Sequence, residues 1–165
     1  GKTQLGQKVL YAKTSQSVVL IDDIVATIKP ILTAIIKKYN IDTIAFIPPS
    51  IKRNIQLMSE LKTRLRIQLP EIMLVKVYAG SVIVSQKSLS KFQERVITAQ
   101  RTIFVEVNKS TSHSKNVLII DDAVGSGATL HETAKKVRLL LKPKGMIVGY
   151  AVIGSMKGFE IIKEI

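Results

Sequence analysis

The sequence predicts an α/β domain, a mainly parallel, twisted sheet flanked by helices. Three observations carry the prediction. Short, unbroken aliphatic runs recur along the chain, among them Ile44-Ala45-Phe46-Ile47 and Val117-Leu118-Ile119-Ile120. A strand buried on both faces reads this way, without polar alternation. Between the runs lie stretches with apolar residues at helical spacing, and strands alternating with helices of this length read as parallel βαβ units. One junction is richer in chemistry than the rest: Val117 to Leu141 reads VLIIDDAVGSGATLHETAKKVRLLL, a strand passing through a turn of small residues into a helix.

In chain order, Lys8 to Tyr11 predicts a short strand or sheet edge. Ser17 to Val25 (SVVLIDDIV) resembles 117–124 superficially, but Ala26-Thr27-Ile28-Lys29-Pro30 follows, with no glycine. Asp22 and Asp23 are therefore expected near the start of a helix with Ile28, Ile31, Leu32, Ile35, Ile36 and Tyr39 on its apolar face, ended by Asn40 to Asp42. The strand Ile44–Ile47 leads into Pro48-Pro49-Ser50-Ile51-Lys52-Arg53-Asn54. A helix then carries Ile51, Ile55, Met58, Leu61 and Leu65. Leu74–Val77, Ile103–Val107, Val117–Ile120 and Met146–Ile153 are the remaining strands. The helix after 129 presents Leu130, Ala134, Val137 and Leu141; Thr129 and Glu132 have capping-box spacing, and Lys142-Pro143 closes it.

The turn between strand and helix defines the chemistry. Backbone N–H groups at a helix N-terminus, unblocked by large side chains and favoured by the helix dipole, accept a phosphate. Asp121 and Asp122, just before them, repel phosphate and suit hydroxyl groups or a divalent ion. Together they describe a polyhydroxylated phosphate ester such as a ribose 5-phosphate. Gly125-x-Gly127 lacks the third glycine of a dinucleotide fold, and no Gly-x-x-x-x-Gly-Lys-Thr occurs.

Val117 to Leu130 resembles the phosphoribosyl-pyrophosphate (PRPP) signature of the type I phosphoribosyltransferases: four hydrophobic residues, two acids, two small or hydrophobic residues, then Thr-Thr-Gly-x-Thr. Here Gly125 replaces the first Thr, and Ser126 replaces the second and keeps a hydroxyl. The resemblance implies the type I phosphoribosyltransferase fold with a flexible hood. It also implies that PRPP or ribose 5-phosphate is bound by Asp121, Asp122, Ala123, Val124, Gly125, Ser126, Gly127, Ala128 and Thr129. Within that set, Asp121 and Asp122 hold the ribose hydroxyls.

Two further stretches are similar to the ComF-type phosphoribosyltransferases, associated with competence and DNA uptake. One is Ile47-Pro48-Pro49-Ser50 with Arg53-Asn54-Ile55-Gln56; the other is Gln86-Lys87-Ser88-Leu89-Ser90-Lys91-Phe92-Gln93-Glu94-Arg95, with Phe104 following. The likeness covers about residues 44 to 153. In that family the first loop resembles Val-Pro-Val-Pro followed by Arg-Gly-Phe-Asn-Gln, and the second resembles Gln-x-x-Leu-Ser-x-x-x-Arg, then Asn and a Phe. Here the first loop lacks Gly-Phe before the Asn position, and Thr98 or Ala99 stands near the expected Asn of the second.

This family chemistry displaces pyrophosphate from C1 of PRPP by a nitrogen acceptor, with Mg²⁺ bridging pyrophosphate and ribose hydroxyls. The resemblance implies Pro49, Ser50, Ile51, Lys52 and Arg53 at the pyrophosphate. It makes Lys52, Arg53, Lys87 and Arg95 the catalytic cations, and Asp121 and Asp122 the residues reaching Mg²⁺ through ribose hydroxyls or water. Residues 80–101 are the expected hood. No residue stands out as a general base: His113 lies in a polar connector, and His131, on the first turn of the helix, is within reach of the phosphate cup. The alternatives within this reading are a non-catalytic PRPP- or nucleic-acid-binding regulator and a purine or pyrimidine phosphoribosyltransferase of salvage or synthesis.

Composition bounds these readings. The 165 residues, 46% of them hydrophobic, predict one domain over 1–165 with its core in 44–153. The absence of cysteine excludes disulfides, thiolate zinc sites and a cysteine nucleophile. No run reaches membrane-span length and the first residues show no signal-peptide pattern, so a cytoplasmic protein is expected. Gly1-Lys2-Thr3 follows no strand or glycine run and so does not indicate a nucleotide-binding loop; the abrupt start suggests missing upstream sequence. The formal charge is +13, and residues 50–101 hold ten Lys or Arg against three acids. That basic segment, including Lys62, Arg64, Arg66, Lys87 and Lys91, together with the ComF resemblance, implies single-stranded DNA as a partner. A homodimer or a competence-machinery partner belongs to the same expectation.

Overall fold

The structure is a computed structural model, and residues 3–49, 51, 53–77 and 102–154 are described. Two helices, α1 (Gln4–Ser15) and α2 (Val18–Lys38), precede strand β1 (Thr43–Phe46). Helix α3 (Leu57–Leu65), strands β2 (Glu71–Lys76), β3 (Ile103–Glu106) and β4 (Val117–Val124), helix α4 (Ala128–Leu141) and strand β5 (Ile147–Gly154) follow.

The five strands form one sheet in the order β3-β2-β1-β4-β5. Strand β1 pairs in parallel with both β2 and β4, and β4 pairs in parallel with β5; β3 alone is antiparallel, on β2. The mainly parallel sheet expected from the sequence is therefore present. Its central strands explain the unbroken apolar runs by period-two alternation across two covered faces. Ile44, Phe46, Leu118 and Ile120 face α1, α2 and α3, whereas Ala45, Ile47, Val117 and Ile119 face α4 with Leu130, Val137 and Leu141.

The first amino-terminal element differs from the sequence expectation. Lys8 to Tyr11 is no strand; it lies inside α1, whose N-cap Thr3 accepts a hydrogen bond from the Gly6 N–H at 3.1 Å. Val9 and Tyr11 favour strands intrinsically, but Leu5, Val9 and Ala12 fall at i, i+4 and i+7 and pack on one face. Burial of that face outweighs local propensity. The helix expected beside Asp22 and Asp23 is present and starts at Val18, with Ile21, Ile24, Ile28 and Leu32 buried and both acids on the solvent side. Those acids tie the helical layer together, Asp23 to Lys8 at 3.1 Å and Asp22 to Arg64.

Helix α3 begins at Leu57, so Ile51 and Ile55 belong to the loop before it. On the other face, α4 docks against β3 through Lys136, whose ammonium lies 5.1 Å from the centre of the Phe104 ring and donates to the Ile103 carbonyl. Burial pushes the Lys136 ammonium below its ordinary value, with the nearby Glu132 carboxylate opposing.

At the amino ends of β1 and β4, the Asp42 carboxylate accepts hydrogen bonds from the Lys115 N–H at 3.0 and 3.1 Å, the Asn116 N–H at 3.3 Å and the Thr43 hydroxyl at 2.9 Å. It fixes the register of the central pair from the end opposite the Asp121-Asp122 turn. Asp42→Ala leaves the two N–H donors unmatched, while the Thr43 hydroxyl keeps Ser114 at 2.7 Å, and is expected to lower stability by about 2 to 4 kcal/mol. Urea unfolding measures this, and ligand affinity of the folded variant should stay near that of the parent.

Candidate functional site

From β1 the chain turns to one side, through α3 to β2; from β4 it turns to the other, through α4 to β5. The reversal falls between β1 and β4, and ligands of open α/β sheets bind beyond the carboxyl ends of the strands at such a point. The Ile47 N–H donates to the Ile120 carbonyl at 2.8 Å, so the two strands stay paired up to the loops that diverge there. Pro48 and Pro49 leave from β1. Asp121 to Val124 complete β4, four residues beyond the strand read from sequence.

A cavity of about 480 Å³ opens between these loops. Every residue from Asp121 to Thr129 lines it, together with Pro49, Ile51 and Arg53. The structure thus brings together the expected sugar-phosphate stretch and three of the five expected pyrophosphate residues. Ser50, Lys52, Lys87 and Arg95 lie outside the described residues, as do the hood at 80–101 and the Gln86–Arg95 stretch.

Asp121 and Asp122 are each only 8% exposed although both sit at a cavity wall. The Asp122 N–H donates to the Asp121 carboxylate at 2.8 Å, and the Lys13 ammonium forms an ion pair with the Asp122 carboxylate. Two buried neighbouring carboxylates without a cation would pay both desolvation and mutual repulsion. Lys13 relieves both.

Helix α4 starts differently from the expectation. Gly127, not Thr129, is its N-cap, with φ of 81° in the left-handed region where a Cβ is disfavoured. Glu132 makes no capping box; it is 3% exposed and pairs with Lys135 at 3.4 Å. The cap is therefore a backbone shape; the Ala128 N–H donates to the Ser126 hydroxyl at 3.4 Å, and the first N–H groups of a helix are the donors that suit an anion. His131 does not line the cavity, its N–H donating to the Gly127 carbonyl at 2.9 Å as a rung of the helix; His113 is exposed in the connector before β4.

Sequence reasoning missed α1 as part of the site. Val9, Leu10 and Lys13 line the cavity, and Leu57, Met58 and Ile153 add to its apolar wall. The Arg53 guanidinium donates to the Lys13 carbonyl at 2.9 Å, and the Gln16 side chain accepts from the Ile55 N–H at 2.9 Å. These bonds join α1 to the loop that follows β1. The signal was present in the i, i+4, i+7 spacing of Leu5, Val9 and Ala12, which places Lys13 beside the buried stripe.

No group of three or more His, Asp or Glu arranged to hold a metal occurs among the described residues. Asp121 and Asp122 supply hard oxygen donors of the kind Mg²⁺ takes, and the ion would complete its shell with ligand oxygens and water. In the basic segment, Lys62 pairs with Glu71 at 2.7 Å, and Arg64 pairs with Glu60 at 3.0 Å and with Asp22. The hydrogen bond to Glu60 leads the causes that raise the Arg64 guanidinium above its ordinary value. Among the described residues no helix is long and apolar enough to cross a membrane.

No protein-family model matches the sequence, and no curated protein matches it. Solved structures do. An adenine phosphoribosyltransferase aligns over 86% of this chain and 73% of its own, at 17% identity and a TM-score of 0.52. A hypoxanthine-guanine phosphoribosyltransferase from Bacillus anthracis aligns over 87% of this chain and 76% of its own, at 14% identity and a TM-score of 0.51. The chain has the α/β fold of the type I phosphoribosyltransferases.

Proposed function

We propose that this protein is a PRPP-binding phosphoribosyltransferase of the ComF type, transferring the phosphoribosyl group to a nitrogen acceptor. The observation that carries the reading is the convergence, in one cavity at the β1/β4 reversal, of the buried pair Asp121-Asp122 and the glycine-capped start of α4. The 5-phosphate takes the N–H groups and hydroxyls of residues 125–129. The ribose hydroxyls donate to Asp121 and Asp122.

Pro49, Ile51 and Arg53, with Ser50 and Lys52, meet the pyrophosphate, and Lys87 and Arg95 reach it from the hood. In the reaction the bond from C1 to the pyrophosphate oxygen breaks, that oxygen keeps the electron pair, and the acceptor nitrogen bonds to C1 and gives up its proton. Mg²⁺, held through Asp121, Asp122 and ligand oxygens, would neutralise charge on the leaving group. Arg53 and the neighbouring cations serve the same developing charge, while the Val9, Leu10, Leu57 and Met58 wall keeps water from that side.

The ComF assignment is supported by the Pro48-Pro49 and Gln86–Arg95 stretches, and the +13 charge supports, secondarily, a nucleic-acid partner. It extends the proposal to a cytoplasmic protein working on or beside single-stranded DNA. Pyrophosphate release across a panel of nitrogen bases, with PRPP and Mg²⁺, tests the reading. Turnover with at least one acceptor, abolished by chelation of Mg²⁺, is the expected result; PRPP binding without release against any base would favour a regulator instead.

A further inference from the structure

Lys13 comes from a helix that neither the family motifs nor the glycine turn involves, yet its ammonium lies against one of the two acids at the centre of the cavity. Its backbone is not free to drift. Val9 and Ala12 are buried in the core on the same helix, Arg53 donates to the Lys13 carbonyl, and Gln16 holds the Ile55 N–H. Its side chain is 23% exposed and that of Asp122 is 12%, so the pair is shielded from most of the solvent that weakens surface ion pairs.

The position sets a charge problem. A sugar phosphate with its single phosphate in the glycine turn presents only neutral hydroxyls to Asp121 and Asp122. A second anionic group on the same sugar must lie beside two carboxylates, which repel it. An ammonium has three donors and can hold a carboxylate and an anionic oxygen together. Arg53, hydrogen-bonded to the Lys13 carbonyl, brings a second cation to the same cavity.

We propose that Lys13 is a specificity-determining residue that selects sugar phosphates carrying a second anionic group beside the ring hydroxyls, by bridging that group to Asp122. This rests on the phosphoribosyl reading of the cavity and deepens it. It places α1 in direct contact with the ligand.

Calorimetric titration of the full chain with PRPP and with ribose 5-phosphate, at fixed Mg²⁺, separates the possibilities. Lys13→Gln should weaken PRPP about tenfold or more, the scale of a lost charge-assisted hydrogen bond, and change ribose 5-phosphate by less than about threefold. Lys13→Arg should restore most of the discrimination. Should the glutamine variant lose its melting transition, Lys13→Met keeps the aliphatic stem and carries the same comparison. Equal losses for both ligands, or no loss for either, would overturn the role of Lys13 while leaving the cavity assignment standing. A parent protein that binds neither ligand would overturn both.

Discussion

Asparagine at both 121 and 122 should remove measurable PRPP binding and its dependence on Mg²⁺ while the protein still folds. Asparagine matches aspartate in shape but carries no charge, so hydroxyl donors lose a charged acceptor at each position. With about 1.5 to 3 kcal/mol for each hydrogen bond to a charged group, the pair loses roughly a hundredfold to ten-thousandfold in affinity. The cost to the fold is smaller, because removing both carboxylates also removes their mutual repulsion and burial penalty, offsetting the lost Lys13 pair. Calorimetric titration beside thermal melting checks both halves. Unchanged affinity in a folded double variant would rule out the acid pair as the hydroxyl site.

Gly127→Ala should act on the phosphate end. Gly127 holds φ at 81°, and placing an L side chain there costs on the order of 1 to 2 kcal/mol if the backbone stays put. If the backbone relaxes, the first N–H groups of α4 turn away from the anion. Either response costs affinity: ribose 5-phosphate should bind about tenfold or more weakly, with a drop of only a few degrees in melting temperature. Equal affinity in the two proteins would mean that the turn does not hold the phosphate as assigned.

All three of these residues were legible in the sequence, and the reason is physical. A central strand covered on both faces leaves an unbroken apolar run, and a tight turn into a helix concentrates small residues, so β4 and the start of α4 announce themselves locally. Strand β1 did the same. The first helix did not, because Val9 and Tyr11 carry strand propensity and only their packing partners decide the outcome.

The antiparallel direction of β3 also has no local signature, since the apolar pattern of Ile103–Val105 is the same whichever way the strand runs. The helix cap was misread for a related reason. Thr129 and Glu132 have the right spacing, but Gly127 already supplies the turn, so the helix begins before Thr129 and Glu132 is drawn into the packed interior. Lys13 was missed because a cation acts on the site through space, from more than a hundred positions away in the chain.

The pairing of Thr43 with Val117 at the centre of the sheet has a consequence for synthesis of the chain. Strand β1 emerges from the ribosome well before the neighbour that will flank it on one side, and the stripe Ile21, Ile24, Ile28 and Leu32 emerges earlier still. Until β4 arrives, that stripe can cover itself against α1 and α3 but lacks Leu118 and Ile120 beneath it. Long-range parallel pairing of this kind is slow and leaves apolar surface uncovered in the meantime. The same strand that carries the acid pair is thus the one whose arrival covers this stripe, so the binding pocket is built late in synthesis.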